Sequence, residues 1–382
     1  MAIYIGLIAY LFIISIGTKI IIRDREKQER VILKYVICAM FLICSLKSDV
    51  VGIDTAGYKA VYEQAALYSW TDFSYVYFES GYILLMKLFA EIDASFTVFL
   101  IAVYTIVFVP LYYFLKRYSN DVTFSLLIYI CFIFFTFNLT GIRNSISLSL
   151  CLLAFLSLDR KDIKGLVGYL FLLTVAFLFH KSAIIFLIAL IILYAPFSLN
   201  TSIFYIMPAF LLVLKPDSIF AFIGANFGRD VTLASRFNLS GTFIFFLTIE
   251  LIAIFILFLE SKNKDKSLNE LPRQELDMLK VSASFVYFVL LIFFTIGSDT
   301  VFIRLALYYQ IFIIILLPEI LSRSEVQDRI LLKILFGIFF IGFYFHTVLL
   351  PQTYDVVPYY FYWDTDYAVS SEYLPLSDKV LQ

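Results

Sequence analysis

The sequence predicts an all-α polytopic membrane protein of about 12 transmembrane helices, within a range of roughly 10–13, with its N- and C-termini outside. Three observations lead there. Of the 382 residues, 62% are hydrophobic and only 15% charged, at a mean hydropathy of +0.92. Apolar runs of about 15–21 residues recur along the chain, long enough for helices to cross hydrocarbon with every backbone group bonded internally. The short loops between them gather Lys and Arg at alternate turns, the pattern that orients such helices. A transmembrane barrel would instead show alternating segments of about ten residues, which the sequence lacks.

The segments follow in order. Ala2–Ile22 is apolar and is followed by RDREKQER, Arg23–Arg30. A cleaved signal peptide carries its basic residues before the apolar core, so this reversed order marks a first span with Arg23–Arg30 in the cytoplasm. Val31–Leu46 returns outward and opens into an external loop, residues 47–80, rich in Tyr and holding Trp70. Tyr82–Ile92 is too short to span and carries Lys87 and Glu91, as a half-helix or interfacial helix would. Ser95–Leu115 crosses inward to Lys116 and Arg117. Val122–Leu139 and Ile146–Leu158 form a hairpin, out and back, that ends at DRKDIKG, Asp159–Gly165. Leu166–Phe179 leads out to His180-Lys181-Ser182, and Ala183–Phe197 returns. Thr201–Leu214 reaches a second external loop at 215–240, and Gly241–Glu260 comes back to the longest cytoplasmic loop, at 261–280. Val281–Gly297 and Ile303–Leu321 make another hairpin, with Arg304 at its outer end. Leu331–Leu350 closes a transmembrane domain over 1–350, and 351–382 is an external aromatic tail. Cys38, Cys44, Cys131 and Cys151 lie within apolar runs without CxxC spacing, and read as small core residues.

Four arginines break the orientation rule. Arg143, Arg229, Arg236 and Arg304 all map to the outer face, where the rule disfavours them. Arg143 is the sharpest case, in TGIRNSIS (Thr140–Ser147), a Gly-Ile-Arg-Asn break between two apolar runs. An arginine at or inside hydrocarbon costs at least ~2.5–3.5 kcal/mol on insertion scales, so it is usually kept for a purpose. Guanidiniums clustered on one face suit an anion with several oxygens, because Arg binds phosphate bidentately and keeps its proton. The structural alternative is that each pairs with a carboxylate or caps a helix. The scarcity of acids in the hairpin tips favours a ligand site.

Other candidates are single residues. A lone histidine at the end of a span is more often structural, but the near-neutral pKa of His180 suits a general base or a phosphate donor. His346 lies deep in the last span and reads as a packing or hydrogen-bonding residue. Asp54 sits in VGIDTAGY, where Gly52 and Gly57 allow a tight turn, and is placed to deprotonate a hydroxyl or orient an arginine. Glu63 and Glu79 read as solvated loop acids, and the loop tyrosines with Trp70 as an interfacial belt. The DTD at Asp364–Asp366 resembles the metal-binding DxD of nucleotide-sugar transferases, but it falls in an external tail, where nucleotide sugars are absent. There is no Walker A, GxSxG, HExxH or nucleic-acid signature, so neither ATP coupling, a cofactor nor a nucleic-acid partner is implied.

Six short pieces carry a resemblance: VGIDTAGYKAVYE (Val51–Glu63), ESGY (Glu79–Tyr82), IRNSISLSL (Ile142–Leu150), FHKSAII (Phe179–Ile185), RLALYY (Arg304–Tyr309) and VVPYY (Val356–Tyr360). In this order, spread over most of the chain, they resemble the EpsG family of Wzy-type bacterial polysaccharide polymerases. The resemblance implies a GT-C-like polymerase bundle in the inner (plasma) membrane, active at its outer face. There a growing glycan on undecaprenyl diphosphate moves onto the non-reducing end of a fresh lipid-linked repeat unit. The implied partners are that lipid-linked donor and acceptor, the bilayer, a flippase and a chain-length regulator. Arg143 and Arg304, with Arg229, Arg236, Lys47, Tyr58 and Asn144, would bind the diphosphate. Asp54 or His180 would act as base, and the guanidiniums would neutralise the leaving group without a metal. Two positions depart from the family pattern. Lys47 stands where an arginine is common, and Arg143-Asn144 with Ser147 stands where Arg-Gln and an alanine are usual.

Two other classes compete. An O-antigen ligase-type glycosyltransferase acts on similar lipids but usually carries one large external loop, and the loop at 47–80 is only moderate. A flippase or transporter keeps ionisable residues near the bilayer midplane between discontinuous helices. Here the charges gather at one face.

Overall fold

The computed structural model describes residues 1–70, 77–160, 162–194, 300–322 and 324–364. Arg229, Arg236, the loops at 215–240 and 261–280 and the spans expected between 201 and 297 lie outside these residues. The chain divides into two units, Met1–Ala183 with Ser324–Gln382, and Ile184–Arg323.

The first unit is built from helices α1 (Ala2–Ile21), α2 (Arg25–Ser45), α3 (Thr55–Gln64), α4 (Ser80–Ala90), α5 (Phe96–Tyr118), α6 (Val122–Cys131), α7 (Ile133–Thr140), α8 (Ile142–Ser157) and α9 (Ile163–Phe179), joined by a helix that follows 323 in sequence. The second unit contributes α10 (Leu187–Tyr194), α11 (Thr300–Gln310) and α12 (Ile313–Ser322). The helix that completes the first unit is α13 (Val326–Tyr344). Among the described residues the regular structure is helical, with one isolated bridge and no strand. Four helical stretches are long and apolar enough to cross a membrane, or five if α6 and α7 count as one bent span. The remaining spans of the expected dozen rest on the sequence alone.

Local chemistry starts the helices where the sequence places loops. Asp24 accepts the N–H groups of Glu26 and Lys27 at the head of α2, Asp121 accepts Phe124 N–H for α6, and Asp162 accepts Gly165 N–H for α9. All three caps sit at one end of the first unit, where the basic loops meet. Arg25 donates to the Asn120 carbonyl at 2.7 Å, Arg117 pairs with Asp159 at 2.5 Å, and Lys333 pairs with Asp121.

The opposite end gathers the start of α1, the 46–55 loop, the α7–α8 break and the segment 353–362. The Tyr4 hydroxyl donates to the Val356 carbonyl at 2.5 Å, and the Tyr359 hydroxyl to the Ile43 carbonyl at 2.6 Å. Ser48 N–H donates to Tyr360 O and Tyr362 N–H to Leu46 O, both at 2.9 Å, around a bridge between Lys47 and Phe361. As far as residue 364, the expected external tail is therefore stitched into the body of the first unit.

Two local features differ from the sequence reading. The apolar run Val122–Leu139 is two helices bent by 53° at Phe132. No Pro or Gly marks the bend. Asn138 Nδ2 donates to the Tyr129 hydroxyl at 2.7 Å across it, and the Tyr129 and Phe134 rings stack with centroids 5.8 Å apart. His346, expected to pack inside the last span, is exposed in the π-turn Phe345–Leu349 that ends α13. The half-helix at 82–92 is α4, whose 11 residues make about 16 Å at 1.5 Å per residue, half of a roughly 30 Å hydrocarbon core. It packs against α9 and α3. In the second unit, Phe186 packs against Tyr309 and Phe312, and the Tyr309 hydroxyl donates to the Ile185 carbonyl at 2.6 Å.

The loop ahead of α3 is tight enough to test. Gly52 has φ +92°, and a Cβ there would lie 2.1 Å from the Leu139 carbonyl oxygen. Gly52→Ala is expected to lose about 1–3 kcal/mol from backbone strain alone, before the clash is relieved. Thermal unfolding of detergent-purified protein should show a clear fall for Gly52→Ala. Gly6→Ala is the control, because a Cβ at Gly6 has nothing within 4 Å, and it should leave the midpoint in place.

Candidate functional site

The site forms where α7 stops and α8 begins. Gly141 bridges the two helices, and a Cβ on it would lie 2.6 Å from the Phe137 ring, so a larger residue there requires that ring to move. From Ile142 to Leu152 every residue of α8 is buried, although the stretch includes Arg143, Asn144, Ser145, Ser147 and Ser149. The head of α8 has no side-chain cap and no acid in its first turn. Its leading N–H groups therefore keep the positive end of the helix dipole open.

Arg143 is 8% exposed. Its Nη1 donates to Glu79 Oε2, and its guanidinium carbon lies 4.4 Å from the Phe78 ring centroid and 5.7 Å from that of Tyr58. Tyr82 packs edge-on against both rings, at 5.5 Å from Tyr58 and 5.9 Å from Phe78. Two aromatic rings thus wall the guanidinium, with Tyr82 packed on both, and its charge is met by the Glu79 carboxylate, by the Tyr58 hydroxyl and by cation–π attraction.

Glu79 corrects the reading of a solvated loop acid. It immediately precedes α4, is largely buried, and accepts the Lys181 N–H at 3.5 Å through Oε1. Burial pushes its carboxyl up, but the Arg143 charge outweighs that and holds it below the usual glutamate value. His180 ends α9 in an extended conformation, half-buried. Its Nδ1 faces the Ser182 backbone N–H at 3.2 Å and the Ser182 hydroxyl at 2.6 Å. A backbone N–H can only donate, so Nδ1 accepts and the proton of the neutral ring sits on Nε2. That tautomer offers a donor for an anion and not a free lone pair for a base.

Lys47 also departs from its expected part. It is 1% exposed, and its ammonium donates to the carbonyls of Val51 and Leu139 and to Thr55 Oγ1. All three N–H donors are used, which leaves none for a diphosphate. Burial also brings the amine down to about 7, so the charge itself is weakened. Lys47 clamps the 47–55 loop onto the end of α7.

The remaining candidates divide. Asp54 is half-exposed at the head of α3, makes no capping hydrogen bond, and stands one turn before Tyr58 on that helix. Asn144 follows Arg143 in the first turn of α8 and is 2% exposed. The first unit thus brings Arg143, Asn144, His180 and Tyr58 to one end, with Asp54 a turn from Tyr58. Arg304 belongs to the second unit, in α11, with a half-buried side chain. Arg229 and Arg236 lie outside the described residues. Asp364 of the DTD accepts Phe361 N–H at 2.7 Å, and Asp366 is not among the described residues. Among the described residues no group of three His, Cys, Asp or Glu side chains is placed to hold a metal ion.

Fold and site together define a helical membrane protein that keeps a desolvated, aromatic-walled cationic site at one end of its bundle. A model of the EpsG family matches residues 30–361, and the chain belongs to that family of Wzy-type polysaccharide polymerases and exopolysaccharide biosynthesis proteins. Comparisons with curated proteins and with solved structures give no match.

The Glu79 pair makes a prediction about pH. A carboxyl held low by its partner contributes stability that is fully present above the ordinary glutamate value of about 4.3 and is lost as pH falls through its own lower value. Glu79→Gln leaves Arg143 buried without its counter-charge, which typically costs about 3–5 kcal/mol. The unfolding midpoint should therefore drop at neutral pH, and the wild-type decline below about pH 4.3 should flatten in the variant. An unchanged acid limb would show that Glu79 is not the titrating group.

Proposed function

We propose that this chain is a Wzy-type polymerase, an inner-membrane glycosyltransferase of GT-C-like architecture with about 12 spans and both termini outside. It joins undecaprenyl-diphosphate-linked repeat units into a polymer at the outer face. The observation that carries this reading is Arg143, a permanent cation buried in the first turn of an uncapped helix at a break between two apolar segments. Such a position binds an anion with oxygens in several directions, and a lipid diphosphate presents one at the edge of the hydrocarbon.

In the reaction, the bond between the anomeric carbon of the growing glycan and the diphosphate oxygen breaks. Its electron pair leaves with undecaprenyl diphosphate. A new bond forms from an acceptor hydroxyl oxygen to that carbon, and the hydroxyl proton passes to a base. Arg143, the first-turn N–H groups of α8 and the Nε2–H of His180 stabilise the charge that builds on the leaving diphosphate, where low dielectric strengthens them. Arg304, Arg229 and Arg236 are assigned as further cations for the same groups, and Tyr58 as the wall that fixes Arg143. Asp54 is the base, because its carboxylate is not used in capping and stands a turn from Tyr58. Glu79 holds Arg143, and its lowered carboxyl makes it the weaker proton acceptor.

The size distribution of lipid-linked glycan in a host lacking this chain tests the reading. A polymerase predicts loss of the ladder, with single repeats remaining. Full-length polymer stranded on the lipid would identify a ligase instead, and repeats trapped on the cytoplasmic leaflet a flippase. In the complemented host, Arg143→Ala present at wild-type amounts should lose polymer by about 100-fold or more, the scale of removing one transition-state donor. Arg143→Lys should retain part if charge alone is required. Unchanged polymer in Arg143→Ala removes the arginine from the mechanism.

A further inference from the structure

Three of the four residues from Gln352 to Asp355 hold left-handed backbone: Gln352 at φ 55°, Tyr354 at φ 65° and Asp355 at φ 53°. None is glycine, the residue that enters this region without steric cost, and of the three only Asp is a common exception. Among the described residues Asp93 is the one other non-glycine residue with positive φ. Strain of this kind persists only where the surroundings fix it, and it gathers at functional sites.

The surroundings do fix it. Just before the turn, the Leu350 N–H donates to the Phe345 carbonyl at 2.9 Å, and Thr353 Oγ1 donates to the Thr347 carbonyl at 2.7 Å. Just after it, the Tyr4 hydroxyl holds the Val356 carbonyl, and the Tyr359 hydroxyl reaches back to Ile43. What the turn itself holds is the loop ahead of α3. The Asp355 carbonyl accepts the Gly52 N–H at 2.9 Å, and the Tyr354 carbonyl accepts the Ile53 N–H at 3.0 Å. Both accepting carbonyls belong to residues in left-handed backbone.

The next residue in that loop is Asp54, whose side chain makes no capping bond of its own. The direction in which its carboxylate leaves the chain is therefore set by the backbone on either side. On one side Val51 O and Thr55 Oγ1 both accept from the Lys47 ammonium, and the Thr55 hydroxyl donates to Val51 O. That clamp ties the loop to α7 and leaves the N–H groups of 52 and 53 to be met. The strained turn, from the far end of the sequence, meets them.

We propose that Gln352–Asp355 is a positioning turn for Asp54. Its residues act through the backbone of Gly52 and Ile53 and not on the substrate. Side chains at positive φ exclude most other conformations of the turn, which fixes the two carbonyls, then residues 52 and 53, and with them Asp54. Glycine in their place accepts the same turn without strain but accepts other turns as well. That Asp54 is the base rests on the polymerase reading. The coupling of the turn to its loop rests on the hydrogen bonds.

The test compares Gly with Ala at two positions, in full-length protein purified in detergent. Ala keeps the steric restriction at positive φ and removes the rest of the side chain, whereas Gly removes both. Gln352→Gly and Tyr354→Gly should each show faster amide hydrogen exchange over residues 48–57 than Gln352→Ala and Tyr354→Ala. In chain extension from lipid-linked repeat units, kcat should be about tenfold or more lower in each Gly variant than in its Ala partner, with KM unchanged. The unfolding midpoint of each Gly variant should lie at or above that of its partner, because glycine relieves the strain. Lower activity in the more stable member of a pair is a result that a merely structural turn does not give. If Tyr354→Gly does not fold, the Gln352 pair carries the same readout, since that side chain is exposed. Equal exchange in Gly and Ala variants overturns the coupling, and equal kcat despite faster exchange overturns the positioning role. Faster exchange as expected, with the glycan ladder intact in a host lacking the chain, would retire the polymerase reading and leave the coupling standing.

Discussion

A buried guanidinium is the constraint around which the rest of this end of the protein is arranged. Removing a charge from water costs several kcal/mol even after the surroundings relax, and Arg143 cannot escape by losing its proton. Its environment has to provide the compensation, and two separate stretches do so. Glu79 comes from the head of α4, Tyr58 from α3 and Phe78 from the approach to α4. The short α4, too short to span, makes sense in these terms. It carries Glu79 against the end of α9, where His180 and Lys181 also face the carboxylate.

Lys47 solves the matching problem on the other side of Gly141. The end of α7 directs carbonyls into a buried region, and a carbonyl without a donor there costs about 1–3 kcal/mol. The ammonium meets Leu139 O, Val51 O and Thr55 Oγ1 together. It thereby anchors the loop whose other edge pairs with Tyr354, Asp355 and Tyr360. Two buried cations thus have opposite purposes. Lys47 is saturated by the fold and is structural. Arg143 keeps its Nε edge without a partner at a helix end that has no side-chain cap.

Much of this was legible in the residues. The basic loops that the charge pattern singled out meet through Arg25, Arg117 and Lys333, and the Gly-Ile-Arg-Asn break is the centre of the candidate site. What escaped was context that spacing cannot carry. Glu79 lies 64 residues from Arg143 in sequence, so nothing local distinguished it from a solvated acid such as Glu63. Lys47 read as a phosphate ligand because it stands where the family has arginine, and only tertiary contact shows its donors already used. The bend at Phe132 has no backbone breaker, being held by the Asn138–Tyr129 bond, which no window of hydropathy contains. For His180, which ring nitrogen accepts the Ser182 N–H is a matter of geometry that the sequence does not carry.

Under the proposed polymerase reading, the position of the cation has a physical rationale. A lipid diphosphate cannot leave the interface, because its chain stays in hydrocarbon while its head carries charge. A protein that binds the head in water has to extract the lipid, and one that binds it at midplane has to bury the charge. A site at the broken end of a buried helix avoids both costs. On that reading the lipid chain would remain among the helices while the diphosphate would meet N–H groups and a guanidinium already desolvated during folding, leaving little reorganisation for the moment of reaction. The polar serines and Asn144 that line this part of α8 would be poor choices for a helix whose only task was packing.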